Sequence, residues 1–231
     1  MKLLAGCAER RYRISNNSNP KSTAEDDMIR SVLWQLLVLG ISGVLASAAQ
    51  AAGDPAAGKS KFATCAGCHA IPGYTNAYPT YHVPRLGGQH ADYIIVALKA
   101  YQAGERKHPT MHANAFPLNE QDMQDIAAYL SSFPAAAAPY PVRGDTAAGK
   151  TKSATCTACH GADGNGNIPI YPRLAGQHED YLRKVLSDYQ NGTRKNPVMG
   201  GMAKPLSPQD ITDLASYFAS QPKGLVTVQQ E

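Results

Sequence analysis

Two short segments of this chain place two thiols and an imidazole at the same spacing. Each has the pattern C-x-x-C-H, over residues 65–69 and again over residues 156–160. This spacing is typical of c-type haem attachment, in which two thiols form thioether bonds to the porphyrin and the adjacent histidine binds iron. We therefore expect two covalently bound haem c groups. The expected attachment residues are Cys65, Cys68, Cys156 and Cys159, with His69 and His160 as proximal iron ligands.

A structural zinc site is the alternative for two C-x-x-C pairs, since four thiolates often bind zinc in small domains. Zinc does not explain why a histidine follows both pairs directly, nor why each pair lies in its own sequence repeat. The chain has five cysteines, of which only Cys7 lies outside the motifs, in a region that we expect to be removed. Haem attachment is therefore the prediction.

The sixth ligand of each iron has several candidates among the methionines and histidines. The repeat selects between them, because equivalent domains should bind iron from equivalent positions. Met111 aligns with Met199, whereas Met202 aligns with Asn114. Met123 falls on the apolar face of a predicted helix, where methionine is most simply a packing residue. We expect Met111 and Met199, each in a proline-bordered loop, to be the sixth ligands.

Of the candidate histidines, at positions 82, 90, 108, 112 and 178, three compete most directly with these methionines. His90 and His178 also align, although their place at the start of a helix favours a capping or surface role. His112 follows Met111, but glycine stands at its equivalent position, so bis-histidine ligation there would be confined to the first copy. Methionine ligation raises the reduction potential relative to two imidazoles. A filled sixth position also keeps substrates off the iron, which predicts an electron carrier.

The elements that position these residues belong to a repeat much longer than the haem motifs. Residues 84–93 match 172–181, and residues 101–107 match 189–195. The offset is 91 residues at the motifs and 88 at residue 84, so the first copy carries three additional residues after its motif. A repeat of this length predicts two copies of one domain.

Each copy is predicted to be helical, and no segment alternates like a half-buried strand. Ser207 followed by proline predicts the start of the last helix. Its apolar stripe is Ile211, Leu214, Ala215 and Phe218. We expect Gly58 and Gly149 to permit close helix crossings against Tyr129 and Tyr217. The predicted fold class is all-α, with two tandem domains that each wrap around one haem.

Two further aligned pairs are expected beside the haems. The carbonyl of Pro84 or Pro172 is placed to accept the second N–H of the proximal histidine, which would fix the orientation of its ring. Arg85 and Arg173 either neutralise haem propionates or are solvated surface charges. The sequence leaves both roles of the arginines open.

The N-terminal region predicts export. Residues 32–46 form an apolar run too short for a typical bilayer span, and Ala49-Gln50-Ala51 fits a small-x-small cleavage site. We therefore expect a signal peptide and an upstream extension over residues 1–51, with a retained membrane anchor as the alternative. The domains are placed at 52–138 and 139–231, on either side of an Ala/Pro-rich linker, and a periplasmic location follows.

The net charge of +4 is small for a chain of 231 residues, and no basic stripe indicates nucleic-acid binding. Taken together, residues 159–165, 172–177 and 199–207 resemble the dihaem cytochrome c4 family. The resemblance implies two class I cytochrome c domains related by a pseudo-twofold axis. It also implies electron transport in the periplasm from a membrane quinol-oxidising complex towards a terminal oxidase, with loose attachment to the inner membrane. Residues 70–82 depart from the Gly-x-Asp-Gly-Asn loop usual in the family.

Two other functions stay open at this stage. The chain could be the dihaem electron-acceptor subunit of a periplasmic dehydrogenase, such as a flavocytochrome c sulfide dehydrogenase. It could also be a dihaem oxidoreductase, either a thiosulfate dehydrogenase or a peroxidase. Thiosulfate dehydrogenases of similar architecture use a cysteine as haem ligand, whereas this chain has no spare cysteine after residue 51.

Overall fold

The computed structural model describes residues 53–136 and 141–229, so the expected signal peptide and its cleavage site lie outside it. Residues 50–231 form one compact unit. The helices of domain 1 are α1 (Pro55–Lys61), α2 (Ala63–His69), α3 (Ala91–Gln102), α4 (Pro109–Ala115) and α5 (Glu120–Ser131). Those of domain 2 are α6 (Thr146–Lys152), α7 (Thr157–His160), α8 (Glu179–Gln190), α9 (Pro197–Ala203) and α10 (Pro208–Ala219), with a 3₁₀ turn at Ser153–Thr155.

The described residues contain isolated β-bridges but no strand, so the all-α prediction is confirmed. None of the helices in the described ranges is both long and apolar enough to cross a bilayer.

Side-chain caps define where the helices begin. Asp54 and Asp145 cap α1 and α6 by accepting backbone N–H groups of the first turn. Ser207 forms a reciprocal capping box with Asp210 at the start of α10. These caps satisfy N–H groups that have no partner within the helix. The predicted start of the last helix is therefore confirmed.

A glycine in each domain lets its first helix cross the last helix at very short range. A Cβ added at Gly58 would lie 2.0 Å from the Asp125 carbonyl oxygen and 2.8 Å from Cβ of Tyr129. The equivalent Cβ at Gly149 would lie 2.1 Å from the Asp213 carbonyl oxygen. Both positions exclude any larger residue, so the prediction of close crossings is confirmed.

The same crossings hold a repeated ion-pair network. Lys61 Nζ lies 2.5 Å from Asp125 Oδ2 and 2.8 Å from Asp122 Oδ1. In domain 2, Lys152 Nζ lies 2.7 Å from Asp213 Oδ2 and 2.8 Å from Asp210 Oδ1, both on α10. The bond from Lys61, together with the N–H of Asp54, lowers the pKa of Asp125 to about 2. Each network therefore ties the helix before the haem motif to the last helix of its domain.

The hydrophobic cores of the two domains are connected by the C-terminal tail. The core of domain 1 includes Phe62, Ile126 and Leu130, and it also contains Val228 from the far end of the chain. Val228 is fully buried there. Upstream of it, Val226 forms an antiparallel bridge with Gly87. Residues that follow the last helix of domain 2 thus complete the core of domain 1.

The two domains meet through reciprocal glutamine contacts. Gln177 accepts the N–H of Arg85 at 2.9 Å and donates to its carbonyl at 3.0 Å. Gln89 makes the same two bonds with Arg173, at 2.8 and 3.0 Å. Each domain therefore gives the other the same contact, as a twofold relation requires.

Candidate haem sites

Each C-x-x-C-H motif ends in a buried histidine whose ring is held by a backbone carbonyl. His69 Nδ1 lies 3.0 Å from the Pro84 oxygen, and His160 Nδ1 lies 2.9 Å from the Pro172 oxygen. A carbonyl only accepts, so Nδ1 carries the proton and Nε2 is left with its lone pair. Such a ring is oriented to bind a metal through Nε2. The predicted role of both proline carbonyls is confirmed.

Burial keeps both of these histidines neutral. It lowers the pKa of His69 and of His160, and in each case the proline carbonyl opposes the shift. The imidazole of His108 also lowers the pKa of His69.

The four motif cysteine side chains are half-buried, and none of them forms a disulfide with another described residue. In domain 1 both thiols lie on α2, three residues and hence about one turn apart. Burial raises the pKa of Cys65 and of Cys156. Two thiols on one helical turn beside a neutral imidazole provide the donor set that a covalently attached haem requires, so the residues fit this cofactor. When bound, each haem supplies an iron that exchanges one electron.

The expected sixth ligands lie on short helices rather than in loops. Met111 is on α4 and Met199 is on α9, and both side chains are half-buried. The loop prediction was wrong because a capping residue precedes the proline in both copies. His108 Nδ1 accepts the N–H of Met111 at 3.2 Å, and Asn196 Oδ1 accepts that of Met199 at 3.0 Å. The two methionines thus occupy equivalent places, and iron ligation by them stays a prediction.

The competing histidines contact the opposite domain or a local carbonyl. His90 and His178 stand at the N-cap positions of α3 and α8, but neither side chain caps its helix. His90 Nε2 lies 2.7 Å from the Gly166 oxygen of domain 2. His178 is buried and stacks on His82 with ring centroids 4.7 Å apart. The expected capping or surface role is therefore wrong, because both rings lie at the interface between the domains.

His112, the third competing histidine, is exposed and its Nδ1 lies 2.8 Å from the Tyr101 carbonyl oxygen. The predicted propionate arginines also reach across the interface. Arg85 is only 3% exposed and donates to the carbonyl of Gly176. Arg173 Nη1 donates to the Gly88 carbonyl at 2.8 Å. The description of Arg85 as a solvated surface charge is wrong, since packing of the second domain buries it.

An arginine pair at the interface, of which Arg194 is buried and Arg106 half-buried, was not predicted. Arg106 Nη2 and Arg194 Nη2 both donate to the hydroxyl of Tyr93, at 2.9 and 3.1 Å. Within residues 53–136 and 141–229, neither guanidinium forms an ion pair with a carboxylate. Arg194 Nε is buried without a hydrogen-bond partner there. Buried cations of this kind fit the carboxylates that a haem carries. Arg106 aligns with Arg194 in the sequence repeat, and this alignment was the signal from which the pair could have been found.

The segments after the two haem motifs differ. In domain 2, Gly161 and Gly164 have φ of +81° and +82°, and the Gly166 N–H donates to the His160 carbonyl at 2.7 Å. In domain 1, the longer segment folds back on itself through a bridge between Thr75 and His82. Only the domain 2 loop forms the tight glycine turn.

Comparison with known proteins identifies the fold and the cofactor. A sequence model described as cytochrome c matches residues 55–134 and again 146–222. The chain is 37% identical to a cytochrome c4 of Azotobacter vinelandii over 213 residues, which cover 83% of this chain and 98% of that protein. The chain belongs to the cytochrome c4 family. Each of its two tandem domains accordingly binds one covalent haem c, as the motifs predict.

Two other comparisons bear on its role. The structure of Acidithiobacillus ferrooxidans cytochrome c4 superposes with a TM-score of 0.61 at 31% identity, covering 69% of this chain and 99% of that one. A thiosulfate dehydrogenase electron acceptor of Stutzerimonas stutzeri is 32% identical over 170 residues, or 68% of this chain and 78% of that protein. Members of the cytochrome c4 family transfer electrons and are not enzymes, so the prediction of an electron-transfer protein is confirmed.

Proposed function

We propose that this cytochrome shuttles electrons in the periplasm from a membrane quinol-oxidising complex to a terminal oxidase. The haem attached at each motif would supply an iron that takes one electron from the donor and passes it to the acceptor. The domains are 52–138 and 139–231, each with one haem, and the leader over 1–51 directs export.

The ligand set follows the repeat. The thioether bonds form at Cys65 and Cys68 in domain 1 and at Cys156 and Cys159 in domain 2. The irons are bound by His69 with Met111, and by His160 with Met199.

The observation that carries this proposal is the identical fixation of the two proximal histidines. Both rings are buried and both Nδ1 atoms donate to a proline carbonyl, at 3.0 and 2.9 Å. Each iron would then have a rigid, neutral ligand on one face. A methionine on the other face would close the sixth position and favour the ferrous state. Closed six-coordinate sites suit electron exchange and leave no position for a substrate.

A spectroscopic redox titration tests this proposal. Two one-electron steps, with a near-infrared methionine-to-iron band of two-haem intensity, are the expected result. Met199→Ala should lower one midpoint potential and remove half of the band, and Met111→Ala should do the same for the other haem. Loss of both bands in either variant, or of neither, would show that the ligand assignment is wrong.

An electron-acceptor subunit of a periplasmic dehydrogenase is the second candidate. The similarity to a thiosulfate dehydrogenase electron acceptor supports it and favours thiosulfate over sulfide as the substrate of the partner enzyme. The two roles are separated by measuring how fast the oxidised cytochrome is reduced by each donor. Rapid reduction by a thiosulfate dehydrogenase with thiosulfate, and slow reduction by a quinol-oxidising complex, would favour the acceptor role.

A further inference from the structure

We propose that each methionine-bearing helix is held in position by two side chains, one at each of its ends. These end contacts are His108 and Gln102 for α4, and Asn196 and Gln190 for α9. They would act as positioning residues that keep the thioether sulfur at the iron. The inference rests on the proposed function, because it takes the two methionines as ligands.

The contact at the start of α9 goes to the methionine itself. Asn196 is extended, with φ −163° and ψ 117°, and its Oδ1 accepts the N–H of Met199 at 3.0 Å. In α4 the acceptor is His108 Nδ1, 3.2 Å from the N–H of Met111. The bond thus fixes the backbone atom next to the Cα that carries the thioether side chain.

The contact at the C-terminal end of α9 comes from α8, the preceding helix. Gln190, the last residue of α8, donates from Nε2 to the carbonyls of Ala203 and Leu206 at 3.2 and 2.7 Å. Its counterpart Gln102, the last residue of α3, makes the equivalent bonds at 2.8 and 2.9 Å. The first carbonyl of each pair belongs to a fully buried alanine that ends the helix. The alanine carbonyls have no partner within the helix, and each also accepts the N–H of Leu118 or Leu206 at 3.1 Å.

A helix of this size needs such contacts. Both α4 and α9 are seven residues long, and an isolated helix shorter than about 12 residues is marginal in water. The proximal histidines are already fixed by proline carbonyls. Whether sulfur stays on iron then depends on the position of α4 or α9. Restricting that position favours the bound state by lowering the entropy that ligation costs.

Substitution of the end contacts in the dihaem protein tests the inference. Asn196→Ala should raise the fraction of domain 2 haem without bound methionine about fivefold, the usual effect of losing an N-cap side chain. The near-infrared band of one haem should weaken on warming at lower temperature than in wild type, and one midpoint potential should fall. Gln190→Ala should change the same haem in the same direction. The band and potential of domain 1 should not change.

Matched variants separate positioning from general destabilisation. Asn196→Ser and His108→Asn keep an acceptor at the N-cap and should restore wild-type spectra. Ser207→Ala removes an N-cap of the same kind from α10, where Ser207 Oγ accepts the Asp210 N–H at 3.1 Å. This control should lower the melting temperature and leave both bands intact. If Asn196→Ala is recovered with fewer than two haems, Gln190→Ala and His108→Ala decide the question.

Unchanged bands and potentials in Gln190→Ala and Asn196→Ala, with a lower melting temperature, would overturn the positioning role and leave a merely structural one. A wild-type protein without any methionine-to-iron band would overturn the ligand assignment, and the positioning role with it. The two failures are distinct, because the first occurs with the wild-type band of both haems present.

Discussion

Domain 1 and domain 2 hold their proximal histidines alike but differ in the segments that follow. His69 and His160 donate to equivalent carbonyls, and the first and last helices of each domain cross at an equivalent glycine. The Lys–Asp networks beside these crossings are also the same. The proximal-histidine bonds, the glycine crossings and the Lys–Asp networks are therefore equivalent in the two copies.

The divergent segments both lie at the interface, but their contacts are not equivalent. In domain 1, His82 Nδ1 lies 2.7 Å from Asp180 Oδ2, and its ring stacks on His178. In domain 2, the glycine turn offers the Gly166 carbonyl to His90. Across the interface, the glutamine contacts and the bonds from Arg85 and Arg173 to glycine carbonyls are equivalent in both directions. The contacts of the divergent segments are not, since each segment meets a different partner.

The largest effect on this comparison should come from removing either attachment pair. Cys65→Ser with Cys68→Ser should leave one covalent haem per chain, and Cys156→Ser with Cys159→Ser should do the same, because each pair holds its own haem. Intact mass spectrometry of the exported protein measures the number of adducts. Retention of two adducts by either double variant would contradict independent attachment.

Adding one methyl group at a helix crossing should destabilise either domain severely. Gly58→Ala and Gly149→Ala place a Cβ about 2 Å from a backbone oxygen, which forces the helices apart. We expect each to cost about 3 kcal/mol of unfolding free energy, at the upper end for overpacking. Hydrogen exchange in α1 and α6 should rise only in the altered domain. Lys59→Ala, at an exposed position next to Gly58 on α1, is the control.

A tail substitution should break the equivalence of the domains. Val228→Ala should lower the free energy of unfolding by about 2 kcal/mol, since a fully buried valine loses most of its apolar contacts. The loss should appear as faster hydrogen exchange in α1 and α5 of domain 1, although the residue follows domain 2 in sequence. Val96→Ala, on the exposed surface of α3, should change stability by less than about 0.5 kcal/mol. Faster hydrogen exchange confined to α10 would show that the tail stabilises domain 2 and not domain 1.

Acid should destabilise both domains, because each depends on an ionised aspartate paired with a lysine. The pKa of Asp125 is held at about 2 by Lys61, and that of Asp213 is lowered by Lys152. A carboxylate with a depressed folded pKa stabilises above its unfolded pKa of about 4 and loses that stabilisation as pH falls towards 2. Asp125→Asn should flatten this dependence in domain 1 alone, as measured by urea unfolding with hydrogen exchange at several pH values. An unchanged slope in that variant would assign the acid sensitivity to other groups.

Much of the fold and site followed from local sequence signals. The haem motifs and the repeat identified the attachment residues, because their chemistry depends on spacing along the chain. The start of α10 followed from Ser207 and its proline, since caps act within one turn. Gly58 indicated a close crossing because a repeat kept the smallest residue at one position.

Contacts between distant residues were decided only by the tertiary structure. The sequence alone did not place Val228 in the core of domain 1, nor bury Arg85 under domain 2. It also missed that α4 and α9 are helices, since seven residues give little periodicity and their far ends are held by Gln102 and Gln190. Caps and periodicity report on neighbours in the chain. Burial and bonding across an interface depend on how the two domains pack, which no local pattern encodes.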